Sequence, residues 1–252
     1  MMIVRKSEER HHTGNENQKT WMTFNSANQA DPLQNGFGVL KILNEEILSP
    51  GSGFILHTHK DMVVVTYVRE GIIIYKSPLE KPGLVEINDF HRINVTAYSV
   101  QSAVNASTVD EAHVFQSAFT PGTDLLEAGG EKKIFTLTER KGILKLIASP
   151  DGKEASLKIQ QDVQIYSTLI HKGNHMIHEI KPGRSAWLHV VKGRILMNEM
   201  MFSTGDGAGF SDEMVVSFTA QEPTEILLFD LGSQVPEEIK PGLESKSQPA
   251  SV

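Results

Sequence analysis

The chain contains no cysteine. That absence excludes disulfides, thiolate metal sites and a cysteine nucleophile together. Any transition metal must then be held by imidazole and carboxylate, a donor set that suits iron, manganese, nickel, copper or zinc without choosing among them. Basic residues never gather beyond short pairs, and 24 Lys and Arg against 31 Asp and Glu give a formal net charge of −7. Neither nucleic acid nor a membrane surface is therefore an expected partner. No apolar run approaches the roughly 20 residues of a spanning helix. The opening MMIVRKSEERHH carries charges where a signal peptide needs its apolar stretch. A cytoplasmic location is the simplest expectation. Helical periodicity is weak throughout, and there is no Walker loop, dinucleotide fingerprint, G-x-S-x-G or H-E-x-x-H.

What is present is β pattern. From Gly36 onward, short β-branched runs alternate with Gly, Pro, Asn or Asp, as in GVLKIL (38–43), MVVVTYV (62–68), SAWLHVV (185–191) and EILLFDL (225–231). Such spacing predicts an all-β sandwich or barrel. The pattern also repeats. Gly51 and Gly71 are 20 residues apart, as are Gly173 and Gly193, and Asn88-Asp89 has a counterpart in Gly205-Asp206. Each half reads as strand, glycine turn, strand, then an Asp-containing turn. Two similar barrels are expected, over residues 1–130 and 131–232, joined near Glu131 to Arg140. The polar, Pro/Ser-rich residues 233–252 read as an arm or a disordered tail.

The chemistry concentrates between Gly51 and Gly71. His57 and His59 lie one residue apart in a β-patterned segment, where i and i+2 share a face, so both imidazoles look the same way, as two ligands of one ion must. The spacing Gly51-x5-His57-x-His59, with Gly71 after a strand, is the first half of the cupin signature. Val63 or Val64 stands where that signature has its glutamate. In the second half, Gln101 precedes Asn105 by the spacing expected of the third histidine, and Tyr98 replaces a glycine.

At this level the chain resembles the pirin family of two-domain cupins, some of which are quercetinases. The likeness is carried by MIVRKSEERHH, by ADPLQNGFGVLKILNEEILSPGSGFILHTHKDMVVVTYVREG (30–71), and in the second half by LIASPDGKEASLKIQQDVQIYSTLIHKG (146–173) and HVVKGRILMN (189–198). It implies an all-β bicupin, two jelly-roll β-barrels in one chain. It also implies one iron in the N-terminal barrel, held by three histidines and a glutamate. Carried over by position, His57 and His59 match the first two ligands, Gln101 stands at the third histidine, and Ala103 stands at the glutamate. The second barrel has Glu179 and Lys181 at its H-x-H positions and is expected to be metal-free. Iron or another divalent metal is thus expected to bind weakly or not at all, in a pocket lined by Gln101, Ala103, Tyr98 and Asn105.

Two functions follow from this resemblance. The preferred one is a non-catalytic or weakly active binding or regulatory protein, whose partner is a small-molecule ligand or another protein. The alternative is an iron-dependent, quercetinase-type dioxygenase in which metal at His57 and His59 activates the substrate toward O₂. Elsewhere, His91 and His113 read as partly buried polar residues, His171, His175 and His178 as surface histidines, and Glu45-Glu46 as a solvated pair that diverges across a strand.

Overall fold

The computed structural model describes residues 1–24, 30–57, 61–77, 80–95, 100–120 and 129–233. The first half of the chain runs through β1 (Met2–Arg5), β2 (His11–Gly14), β3 (Gln18–Met22), β4 (Leu40–Leu48), β5 (Gly53–His57), β6 (Met62–Glu70), β7 (Ile72–Ser77), β8 (Glu80–Glu86), β9 (Asp89–Val95), β10 (Val100–Asn105), β11 (Ala112–Phe119) and β12 (Gly130–Ile134). A single helical turn, α1 (Leu137–Arg140), leads to the second half. There follow β13 (Lys145–Ser149), β14 (Leu157–Lys158), β15 (Val163–Ile170), β16 (His175–Glu179), β17 (Ser185–Lys192), β18 (Arg194–Met197), β19 (Met200–Ser203), β20 (Gly207–Ser211), β21 (Val215–Ala220) and β22 (Thr224–Leu231).

These strands make two copies of one arrangement, the expected bicupin. A seven-stranded sheet β12-β9-β6-β11-β4-β3-β2 packs on a four-stranded sheet β5-β10-β7-β8. In the second half β1-β20-β17-β22-β15-β13-β14 packs on β16-β21-β18-β19. Each pair of sheets stays distinct instead of merging into one closed barrel. The strand equivalences are those of the sequence repeat, β5 with β16, β6 with β17 and β10 with β21.

The two seven-stranded sheets face each other, and this explains the composition of their central strands. One face of β6 supplies Val64 and Val68 to the interior of the first jelly roll. Its other face supplies Val63, Val65 and Tyr67 to a core shared with Trp187, Leu227 and Phe229 of the second half. A strand covered on both faces reads as a continuous apolar run, whereas β10, covered on one face, alternates. The second jelly roll has its own interior around Leu188, Ile195, Phe218 and Leu228.

Two details differ from the expected division. The cut at 130/131 falls inside β12, which pairs with β9 and belongs to the first half. Strand β1 does not join the N-terminal sheet; Met2 to Arg5 pair antiparallel with Phe210 to Gly207 of β20, at the edge of the second half. The apolar period of MIVR marks a strand but cannot say which sheet receives it. Residues 234–252 lie outside the described residues.

The repeated glycines sit at equivalent turns for a common reason. Gly71, between β6 and β7, has φ 81°, and Gly193, between β17 and β18, has φ 95°. A Cβ at Gly71 would lie 2.8 Å from the Ala112 Cα, and one at Gly193 2.5 Å from the Pro223 carbonyl oxygen. Both left-handed backbone and close approach exclude any side chain. Gly71→Ala and Gly193→Ala are each expected to lower the unfolding free energy by about 2 kcal/mol or more in urea titrations. Gly83→Ala, where nothing lies within 4 Å of the added carbon, is expected to change it by less than about 0.5 kcal/mol.

Candidate functional site in the N-terminal jelly roll

Strand β10 carries the positions at which the ligand set was expected to fail. Its burial alternates, and Gln101, Ala103 and Asn105 form the inward row. Gln101 is 1 % exposed, and its Oε1 accepts a hydrogen bond of 3.0 Å from the Tyr75 hydroxyl on β7. The Tyr75 ring meets His91 of β9 edge-on, with centroids 4.9 Å apart. Burial, assisted by the charges of Arg92 and Lys132, lowers the His91 pKa to about 4, so the ring is neutral at pH 7. Amide, phenol and imidazole thus stand side by side inside the jelly roll. Ala103, fully buried, lies between Phe54 of β5 and Tyr75 in the backbone register.

The other expected residues are placed as follows. The backbone of His57 ends β5 opposite Val100, while Gln101 pairs with Leu56. His59 and Tyr98, and with them the expected convergence of the imidazoles on Gln101, lie outside the described residues. Asn105 is buried, and its amide is committed to backbone: Nδ2 donates to the carbonyls of Leu48 (3.0 Å) and Asp110 (2.8 Å), and Oδ1 accepts from the Ser107 N–H (2.9 Å). It fastens two turns together. Sequence reasoning missed Tyr75 and His91 as neighbours of Gln101. The available signal was inward alternation on β7 and an imidazole among the buried positions of β9.

Among the described residues no group of three or more His, Asp or Glu could hold a metal ion. The Gln101 oxygen already accepts from a phenol, and Ala103 has no donor atom. Positions 101 and 103 therefore do not fit the iron set of three histidines and a glutamate.

Comparison with known proteins settles the family. A family model described as the quercetinase C-terminal cupin domain matches residues 146–231. Quercetin 2,3-dioxygenase of Escherichia coli (strain K12) is 32 % identical over 231 residues, spanning 92 % of this chain and 99 % of that protein. This chain belongs to the pirin family. Its backbone matches the crystal structure of YhhW from E. coli with a TM-score of 0.84 at 32 % identity, over 92 % of this chain and 98 % of that one. It matches bacterial pirin YhhW in complex with nickel(II) with a TM-score of 0.83, over 92 % and 100 % of the two chains.

The junction between the halves of this pirin is unusually polar. Glu225 of β22 accepts from the Tyr67 hydroxyl at 2.6 Å, from Arg140 Nη1 at 2.9 Å and from Arg69 Nε at 3.2 Å. Arg140 is fully buried and also donates to Ser167 (3.0 Å) and Asn88 (2.7 Å). Burial, with the neighbouring Glu225 charge, raises the Tyr67 pKa. Nearby, Glu45 binds Arg10 at 2.7 Å and His113 at 2.8 Å. Burial opposes its ionisation, but the hydrogen bonds from His113 and Arg10 outweigh that and bring its pKa to about 2.

Two expectations are corrected here. Glu45 and Glu46 do diverge across β4, yet neither is solvated: Glu45 faces the junction, and Glu46, 3 % exposed, accepts from Thr20 at 2.5 Å. His175 is exposed, but His178 is buried and lies 2.9 Å from Asp230 Oδ2, so it is not a surface residue. Sequence patterning at both places misses the element that covers the outer face.

His189 is the least satisfied group at the junction. It is wholly buried, and neither ring nitrogen has a hydrogen-bond partner among the described residues. Burial first, then the charge of Arg10, depress its pKa to about 3. The imidazole is protonated near pH 6.5 in the unfolded chain but stays neutral in the fold, so its contribution is intact above pH 6.5 and is lost as pH falls toward 3. Between pH 7 and pH 5 this group alone is expected to remove about 2 kcal/mol of stability. Urea titrations at the two pH values should show a drop smaller by that amount in His189→Leu. An equal drop in both proteins would contradict the assignment.

Proposed function

We propose that this pirin is a non-catalytic or weakly active bicupin that binds a small molecule or regulates a protein partner, with a degraded metal site in its N-terminal jelly roll. The observation that carries the reading is the pair at 101 and 103. A buried glutamine bonded to Tyr75 and a donorless alanine stand where the family places an imidazole and the only carboxylate that binds the metal. His57 and His59 are then the remainder of a ligand set, too few to retain iron or another divalent metal tightly. The lost glutamate is also the natural base for a flavonol hydroxyl proton, so ring opening loses its proton acceptor along with its metal.

The second reading, a metal-dependent quercetin 2,3-dioxygenase, is favoured by the names of the relatives and by His57 and His59. Metal analysis of the protein purified without a histidine tag separates the two. The expected result is less than stoichiometric iron, nickel or other transition metal and no useful flavonol-cleaving rate. Gln101→His with Ala103→Glu, and with Tyr98→Gly if the bulkier tyrosine obstructs the loop, is expected to raise iron affinity by orders of magnitude. Stoichiometric, tightly held metal in the unaltered protein would overturn the proposal. So would a triple variant that folds normally and gains no affinity.

A further inference from the structure

A cleft lies at the junction of the two jelly rolls, beside α1, and no residue of β10 lines it. It is a cleft of about 610 Å³, within the roughly 300–1,000 Å³ range of small-molecule sites. Tyr67 and Glu225 contribute to its lining, and their polar atoms are already bonded to each other and to Arg140 behind them. Its walls are apolar and open to solvent: Leu137 is 55 % exposed and Ile87 50 %, with Leu169 between strands.

The charge around this cleft runs against that of the whole chain. Glu70 is paired with Arg69, and Glu225 is shared by Arg69 and Arg140. Lys141 and Lys192 also line the cleft and are exposed, and their ammonium groups have no hydrogen-bond or ion-pair partner among the described residues. Three cationic side chains, Arg69, Lys141 and Lys192, thus line the cleft against two carboxylates, with the buried Arg140 guanidinium behind them, in a protein of net charge −7. A cleft with one sign of uncompensated charge concentrates ligands of the other sign.

We propose that this interdomain cleft binds an amphipathic organic anion: an apolar ring body lying on Leu137, Ile87 and Leu169, with a carboxylate, sulfonate or phosphate ester directed to Lys141 and Lys192. The site is independent of the N-terminal pocket and does not rest on the function proposed for it. Because Ile87 and Arg69 come from the first half and Lys192 from the second, the bound molecule spans both halves.

The test uses 8-anilino-1-naphthalenesulfonate, an apolar aromatic body with one sulfonate, and its uncharged parent N-phenyl-1-naphthylamine, both followed by fluorescence titration on the full chain. The sulfonate is expected to bind at one molecule per chain and roughly tenfold or more tightly than the parent. Lys141→Gln with Lys192→Gln should weaken the sulfonate by roughly tenfold and the parent by about twofold or less. Both lysines are exposed and unpaired, so the fold is expected to persist, as an unchanged far-ultraviolet circular dichroism melt would show. Leu137→Ser, on the apolar wall, should weaken both probes. Undiminished sulfonate binding in the double-lysine variant would overturn the proposal, as would equal affinity of the unaltered protein for the two probes.

Discussion

The carboxylate of Glu225 holds the two halves in register. It is buried, so its charge must be met inside the protein. The groups that meet it come from separate elements: Tyr67 and Arg69 from β6, and Arg140 from the turn that links the halves. A buried charge with good partners adds little net stability, but removing one partner leaves the rest uncompensated at a cost of about 3–5 kcal/mol. The network therefore selects one orientation of the sheets more than it strengthens their contact. The strength comes from the apolar cluster around it, where the Tyr67 and Phe90 rings stack at 4.3 Å and Trp187 packs edge-on against Phe24 at 4.9 Å.

That division of labour accounts for which parts of the repeat survive. Turns with left-handed glycine and central strands covered on both faces are constrained in both halves, and there the two copies still resemble each other. The interior of each jelly roll is constrained only to be filled. In the second half it is filled by apolar side chains around Leu188 and Phe218. In the first it keeps polar groups, with Tyr75 bonded to Gln101 and edge-on to His91. Polar side chains inside a jelly roll cost little where they hydrogen-bond one another, as Tyr75 and Gln101 do.

Much of the fold was legible because period, turn residues and repeat all agree. The continuous run MVVVTYV reveals a strand with no exposed face, and the 20-residue glycine spacing in each half locates matching hairpins. What covers an outer face is not encoded locally. NEEI within β4 has the polarity of a surface segment, and only the approach of Arg10, His113 and Thr20 from elsewhere in the chain makes Glu45 and Glu46 interior residues. His178 is hidden in the same way by Asp230 of β22. In the candidate site, the shared inward face of Gln101 and Ala103 could be read from their i, i+2 spacing. The contact of Gln101 with Tyr75 could not, because it joins β7 and β10, which are separated in the chain by β8 and β9.

Strand β1 imposes an order on synthesis. Met2 pairs with Phe210 and Arg5 with Gly207, so a segment that leaves the ribosome first finds its partner only after some 200 further residues have been made. The first jelly roll can close as soon as β12 has emerged, whereas the second is not edged until β20 exists and the start of the chain has folded back onto it. Contacts of such long sequence separation form late and slowly. The exposed flank of β20 is meanwhile an unpaired strand edge, the kind of surface on which nascent chains associate. Pairing of Met2 to Arg5 with β20 covers that edge and ties the two halves together through residues some 200 positions apart in the chain.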